Sequence, residues 1–145
     1  MSAPTTELRI GMATRTDTDA PAIEFCEAPL GLMGLRHFRL HALDDAGYLF
    51  ALRSVEAEGV RLFVVPPEVY FPTYAPRIPA DALTALELGD QEPAVLTVVT
   101  PGDGEHAPTA NLLAPVVVNP TTGAALQVVL DSDEWPLRAQ FTVQG

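Results

Sequence analysis

The stretch from Thr109 to Leu130 constrains the fold of this 145-residue chain more than any other. Val116-Val117-Val118 and Gln127-Val128-Val129-Leu130 are rich in β-branched residues, and Asn119-Pro120-Thr121-Thr122-Gly123 between them is dense in turn formers. Branching at Cβ favours the pleated backbone, while Asn, Pro and Gly supply the dihedrals of a reversal. The two runs read as strands joined by a turn. The valine run has no polar break, so either both of its faces are covered or one of them meets a partner.

Shorter runs repeat this pattern along the chain. Ala22–Cys26, Phe38–Leu43, Tyr48–Arg53, Arg61–Val65 and Ala94–Thr100 read as strands, separated by Asp44-Asp45-Ala46-Gly47, by the acidic loop Glu56–Gly59 and by other turn-rich segments. Pro101–Glu105 is a second acidic loop, and Asn111 is placed to satisfy backbone groups where that loop enters the last hairpin. Prolines 66, 67, 72, 76 and 79 exclude a central strand or a regular helix between Pro66 and Pro79, because proline donates no backbone hydrogen bond. Pro79–Glu87 is the one helix candidate: proline and Asp81 suit a first turn, Leu83 and Leu86 share a face, and Gly89 is a natural stop. Met1–Leu8 lacks patterning and is expected to fray, and Thr14–Pro21 reads as a loop. The expectation is an all-β fold, a small antiparallel β barrel or strongly twisted sheet with one short helix, in a single domain over 1–145.

Charge divides the chain. The formal net charge is −11, all eight basic residues are arginine, and every arginine except Arg138 lies at or before Arg77. Between Ile78 and Leu137 stand Asp81, Glu87, Asp90, Glu92, Asp103, Glu105, Asp131, Asp133 and Glu134, with no arginine or lysine. Binding to nucleic acid depends on cations that displace counterions from phosphate, so direct contact with RNA or DNA is disfavoured. An acidic surface steers instead toward a basic protein; the simpler reading is that it keeps the chain soluble. No apolar run approaches the ~20 residues of a membrane helix, and the N-terminus lacks the pattern of a secretory signal. The lone Cys26 cannot form an internal disulfide, which fits a cytoplasmic protein, and it is read as a small core or interface residue.

Catalytic signatures are missing from the sequence. It contains no phosphate loop, nucleophile elbow, HExxH zinc helix or spaced cysteine pair, so neither cofactor nor metal is expected and the chain does not read as an enzyme. His37 and His41 are four apart, but on a strand that spacing is about 13 Å, too far for one metal ion. The candidate binding residues are aromatic and acidic. Tyr70, Phe71 and Tyr74 cluster in a proline-stiffened loop, where rigid aromatics suit a binding hot spot or plug one end of a barrel. Asp131, Asp133 and Glu134 beside Trp135 and Arg138 form a mixed patch that reads as a charged rim around an anchor or as a solvated tail.

The wording of the chain adds to these patterns. Thr109-Ala110-Asn111-Leu112-Leu113-Ala114-Pro115-Val116-Val117-Val118-Asn119 closely resembles the T-A-N-L-L-A-P-[IV]-V-[IV]-N block of the flagellar assembly factor FliW family, and Gln127–Ser132 resembles its Q-V-[IV]-L-x-x-S. Gly31–Phe38 is similar to the G-L-x-G-F-x-x-F segment of that family, with Leu35 in place of the usual aromatic. Leu62–Pro67 and Val69–Tyr74 resemble F-L-V-x-D-P and F-F-P-D-Y, with Pro66 and Thr73 in place of two aspartates, and Trp135–Arg138 stands where many members have Tyr-x-x-Arg. The resemblance runs from about Ile23 to Arg138. It implies a small β barrel extended by further antiparallel strands. It also implies partner switching between flagellin and CsrA, a basic RNA-binding translational regulator: flagellin occupies the protein, and once flagellin is exported the free protein, expected to be a monomer, binds CsrA and relieves its repression of flagellin mRNA. A flagellin chaperone without CsrA regulation is the alternative; a small-ligand-binding barrel or an undetected hydrolase is a more distant one.

Overall fold

The structure, a computed structural model, describes residues 21–29, 31–32, 34–130 and 135–141. Among these residues nine strands and two short helices follow in the order β1 (Ala22–Phe25), β2 (His37–Ala42), β3 (Phe50–Ser54), β4 (Arg61–Val65), α1 (Pro67–Tyr70), α2 (Ala80–Ala85), β5 (Ala94–Thr100), β6 (Thr109–Ala110), β7 (Val116–Val118), β8 (Ala124–Gln127) and β9 (Ala139–Gln140). The strands form one sheet in the order β4-β3-β2-β1-β8-β7-β5-β6-β9, and a further pairing of β4 with β5 closes seven of them into a barrel. Strands β6 and β9 continue the sheet beyond the ring. All pairings are antiparallel except β1 with β8, which run parallel where the N-terminal meander meets the last hairpin.

Period-two alternation fills the barrel. Ile23, Phe25, Phe38, Leu40, Phe50, Leu52, Val64, Leu96, Val116, Val118 and Ala125 are buried together inside it. The rings of Phe25 and Phe38 meet edge to face, 5.4 Å apart, across the β1–β2 pair. The unbroken valine run of β7 is covered on both faces. Val116 and Val118 belong to the interior, while Val117 packs outside it with Ala82, Leu86 and Leu88 from α2 and its exit turn. A third cluster, of Val65, Val99, Ala110, Leu112 and Phe141, sits beside β5 under the aromatics that follow β4.

Several local expectations are corrected. The last hairpin strand is Ala124–Gln127, not Gln127–Leu130. Gly123, at φ 83°, turns the chain so that Ala125 pairs at once with Val118 on one side and Phe25 on the other. Tertiary pairing there overrides the weak strand preference of alanine. The proline-rich segment contains one helical turn, α1: Pro67 occupies a first-turn position whose N–H would have had no partner, and the Phe71 N–H closes the turn on the Pro67 carbonyl at 2.7 Å. Helix α2 ends at Ala85, before the expected glycine, and Glu87 itself takes a positive φ of 54°. Cys26 is exposed rather than in the core, because Ile23 and Phe25 take the inward positions of β1 and leave the even-numbered ones facing out.

Candidate functional site

The family-like block Thr109–Asn119 holds two short strands, β6 and β7, separated by a bulge. Strand β5 presents one edge first to β7 and then to β6: Leu96 pairs with Val116, and Val99 pairs with Ala110. An unbroken ladder from the second pair would bring Leu96 opposite Leu113, so three extra residues bulge out between β6 and β7. Asn111 holds the bulge. Its N–H donates to the Val98 carbonyl at 2.8 Å, and its Oδ1 accepts from the N–H groups of Leu113 and Ala114 at 3.1 and 3.0 Å. The expected structural role of Asn111 is what the geometry shows.

The bulge gathers the aromatic candidates. Leu112 is buried in the third cluster, its N–H donates to the Pro136 carbonyl at 3.1 Å, and its carbonyl accepts from the Tyr74 hydroxyl at 2.6 Å. Tyr74 stands edge to face with Trp135, ring centres 4.7 Å apart, and burial pushes its phenol pKa up. The Tyr70 hydroxyl donates to the Tyr48 carbonyl at 3.1 Å, and the rings of Tyr70 and Phe71 pack on Phe141 at 4.9 and 5.8 Å. Tyr70, Phe71, Tyr74 and Trp135 are all half-buried. They therefore line one face of the molecule as a packed layer with their outer edges open. Sequence reasoning missed Phe141, which anchors this layer; its only signal was a lone aromatic near the C-terminus.

The rest of the mixed patch divides in two. Arg138 is exposed beside Pro136 and Leu137, and Leu137 shows 53% of its surface. Asp131, Asp133 and Glu134 lie outside the described residues. The other acidic positions of the stretch without arginine or lysine, Asp81, Glu87, Asp90, Glu92, Asp103 and Glu105, are all exposed. Asp103 accepts from the N–H groups of Glu105 and His106, both at 2.8 Å, and these bonds hold its carboxyl pKa below the ordinary value.

A second asparagine of the block works at the opposite end. Asn119 is 1% exposed; its Nδ2 donates to the Leu86 carbonyl at 2.8 Å and its Oδ1 accepts from the Thr121 N–H at 2.9 Å. One side chain thus satisfies a carbonyl at the end of α2 and the turn between β7 and β8. His37 and His41 both lie on β2, where His37 contacts the carboxylates of Glu24 and Glu56 at 3.4 and 3.3 Å. Among the described residues no group of three or more His, Cys, Asp or Glu side chains is placed to hold a metal, and no helix is long and apolar enough to cross a membrane.

Known proteins resemble this chain in sequence and in fold. The family model described as "FliW protein" matches residues 6–141. The chain is 38% identical over 119 residues to the flagellar assembly factor FliW of Bdellovibrio bacteriovorus, a match covering 80% of this chain and 67% of that protein. It is 36% identical over 118 residues to the flagellar assembly factor FliW of Symbiobacterium thermophilum, covering 77% and 85%. A crystal structure of the flagellar assembly factor FliW superposes with a TM-score of 0.74 at 27% identity, over 82% of this chain and 84% of that one.

Proposed function

The chain belongs to the FliW family of flagellar assembly factors, and from that premise we propose that it binds flagellin and, when flagellin has been exported, CsrA. Bound to CsrA, it relieves the repression of flagellin mRNA translation. The observation that carries this reading is the division of charge. From Ile78 to Leu137 the chain has no arginine or lysine, and the described carboxylates of that stretch all face solvent. Such a surface attracts a basic RNA-binding protein and, once docked, repels RNA phosphates close by without occupying the RNA site. The open edges of Tyr70, Phe71, Tyr74 and Trp135, with Arg138 and the acidic segment at Asp131, Asp133 and Glu134, form the partner contact in this reading. Half-buried aromatics already fixed by packing lose little entropy on binding, which suits them to anchor it.

The test is RNA release from purified CsrA as a function of salt. Release by this protein weakens as the Debye length shrinks from about 10 Å at 0.1 M to about 3 Å at 1 M, while the CsrA complex itself is followed separately. Release that persists unchanged at high salt, with the protein still bound, counts against electrostatic exclusion. Capture of flagellin without any binding to CsrA would leave a flagellin chaperone as the function.

A further inference from the structure

Closing a sheet into a barrel removes its free edges, because the first and last strands of the ring pair with each other. Here β4 meets β5, but β6 and β9 continue past the ring, and β9 ends the sheet with a strand on one side only. The register fixes which backbone groups β9 leaves open. The Phe141 N–H donates to the Pro108 carbonyl at 3.2 Å and Ala139 stands opposite Ala110, so the odd-numbered residues turn their backbone groups toward β6. Gln140 turns its N–H and carbonyl the other way. Thr109, opposite it, cannot receive them: the bond from the Asn111 N–H to the Val98 carbonyl sets the backbone groups of Asn111, and by alternation those of Thr109, toward β5.

The side chains of this edge divide by face. Ala139 and Phe141 pack into the third cluster beside Tyr70, Phe71 and Trp135, whose outer edges are open. Arg138 and Gln140 are exposed, and Leu137 just before them shows 53% of its surface. Arg138 is the one arginine or lysine after Arg77, and among the described residues no carboxylate lies within ion-pairing distance of it. An open backbone edge, an apolar layer on one face and an unpaired cation on the other thus meet within a few residues.

We infer that β9 receives an extended strand of a protein partner, which adds to the sheet alongside Gln140. The backbone edge selects an extended segment, because a helix spends its N–H and carbonyl groups internally. Alternation then specifies the side chains of that segment. Those on the face of Ala139 and Phe141 continue the aromatic layer and are β-branched or aromatic. On the other face, the position across from Arg138 takes a carboxylate, which a guanidinium can hold in two parallel hydrogen bonds. A second copy of this chain is a poor occupant, since both copies carry a net charge of −11. The added strand lies at the rim of the aromatic contact proposed above and rests on the reading of that contact as a partner site.

The experiment is a fluorescence-anisotropy titration of the full chain with a labelled, end-blocked peptide of about eight residues, alternating Val and Thr with one Glu among the threonines. Every second amide is N-methylated, so the probe offers one hydrogen-bonding edge and cannot stack on itself. The same peptide methylated on both edges, and one with Lys in place of Glu, serve as comparisons. The one-edged Glu probe is expected to bind and the fully methylated peptide not to bind. Gln140→Pro removes an N–H that points away from β6, so it leaves the β6–β9 pairing in place and is expected to weaken the probe about tenfold, whereas Gln140→Ala is not. Arg138→Glu, which leaves the backbone unchanged, is expected to lower affinity for the Glu probe and raise it for the Lys probe. No binding of the one-edged probe, equal binding of the fully methylated peptide, or unchanged binding by a Gln140→Pro protein that melts as the parent does would overturn the assignment. A parent that binds the probe at Gln140 but captures neither flagellin nor CsrA would keep the edge and strike the proposed function. Capture of either protein with no probe bound would do the reverse.

Discussion

The hydroxyl of Tyr74 donates to the carbonyl of Leu112 at 2.6 Å, tying the loop after β4 to the bulge between β6 and β7. The carbonyl is part of a backbone that has left the ladder of β5, so it has no strand partner to return to. Tyr74→Phe keeps the ring against Trp135 and removes only the bond. It is expected to cost about 1–3 kcal/mol in urea unfolding, with the higher end reached if the carbonyl stays dry. An unchanged midpoint would mean that the aromatic layer is held by packing alone.

The same phenol makes the fold sensitive to base. Burial raises the Tyr74 pKa above its ordinary value of 10.0, so the folded chain holds this proton more tightly than the unfolded chain does. Its contribution is fully present below pH 10 and is lost as pH rises from there toward the folded pKa. Melting temperature measured between pH 8 and 11 is expected to fall more steeply for the parent than for Tyr74→Phe. Parallel curves would contradict this.

The two asparagines of the family-like block separate under one isosteric change. Asn111 uses its Oδ1 as an acceptor for two backbone N–H groups, and a carboxylate oxygen can do the same. Asn111→Asp is therefore expected to stay within about 1 kcal/mol of the parent, while Asn111→Ala loses about 1–2 kcal/mol. Asn119 must donate, through Nδ2, to the Leu86 carbonyl in a site 1% exposed. Asn119→Asp sets a buried carboxylate against a carbonyl oxygen and is expected to cost about 3 kcal/mol or more. Similar losses for both aspartate variants would refute the distinction.

These residues also show what could be read before the fold was known. Strands β2, β3, β4, β5 and β7 follow from alternation and β-branched runs, and the covering of both faces of Val116–Val118 follows from the missing polar break. Asn111 was legible because its partners are two and three residues away in sequence. Asn119 was not, because the Leu86 carbonyl lies thirty-three residues away and only closure of the barrel brings it near. The same limit hid the Phe141 anchor beneath Tyr70 and Phe71. Tyr70, Phe71 and Tyr74 pack against one buried cluster, whose depth depends on a C-terminal segment with little pattern of its own. Residues Asp131, Asp133 and Glu134 remain expectations of the sequence reading.

Acid sensitivity is expected at the start of β2. Oε1 of Glu56 accepts from the N–H groups of Arg36 and His37 at 2.8 and 3.0 Å, and chiefly these bonds lower its pKa from 4.5. A depressed carboxylate pKa contributes stability above the unfolded value, and that contribution is lost as pH falls through the folded one. The difference in melting temperature between the parent and Glu56→Gln is thus expected to be largest near neutral pH and to shrink between pH 5 and 3. A difference that stays constant over that range would show that the loop is held by the shape of the side chain and not by its charge.

Closure of the barrel through the parallel β1–β8 pair depends on Gly123. Its φ of 83° falls in the left-handed region, and a Cβ built there lands on the Ala22 carbonyl oxygen, which is backbone and cannot swing away. The adjoining bond, from the Glu24 N–H to the Gly123 carbonyl at 2.9 Å, is the first link of the seam. Gly123→Ala must therefore either shift β1 or break the turn, and both routes open the ring between its first strand and its last hairpin. The expected loss is about 4 kcal/mol or more, enough to unfold a marginal domain. Gly59→Ala is the control: it shares a positive φ of 87° but meets nothing within 4 Å, so it is expected to cost only about 1 kcal/mol of backbone strain. Hydrogen exchange at the Glu24 and Cys26 amides, which bond to the Gly123 and Ala125 carbonyls, reads the seam directly. Those amides should lose protection in Gly123→Ala under conditions where the β2–β3 amides keep theirs, and retained protection with parental stability would sink the argument.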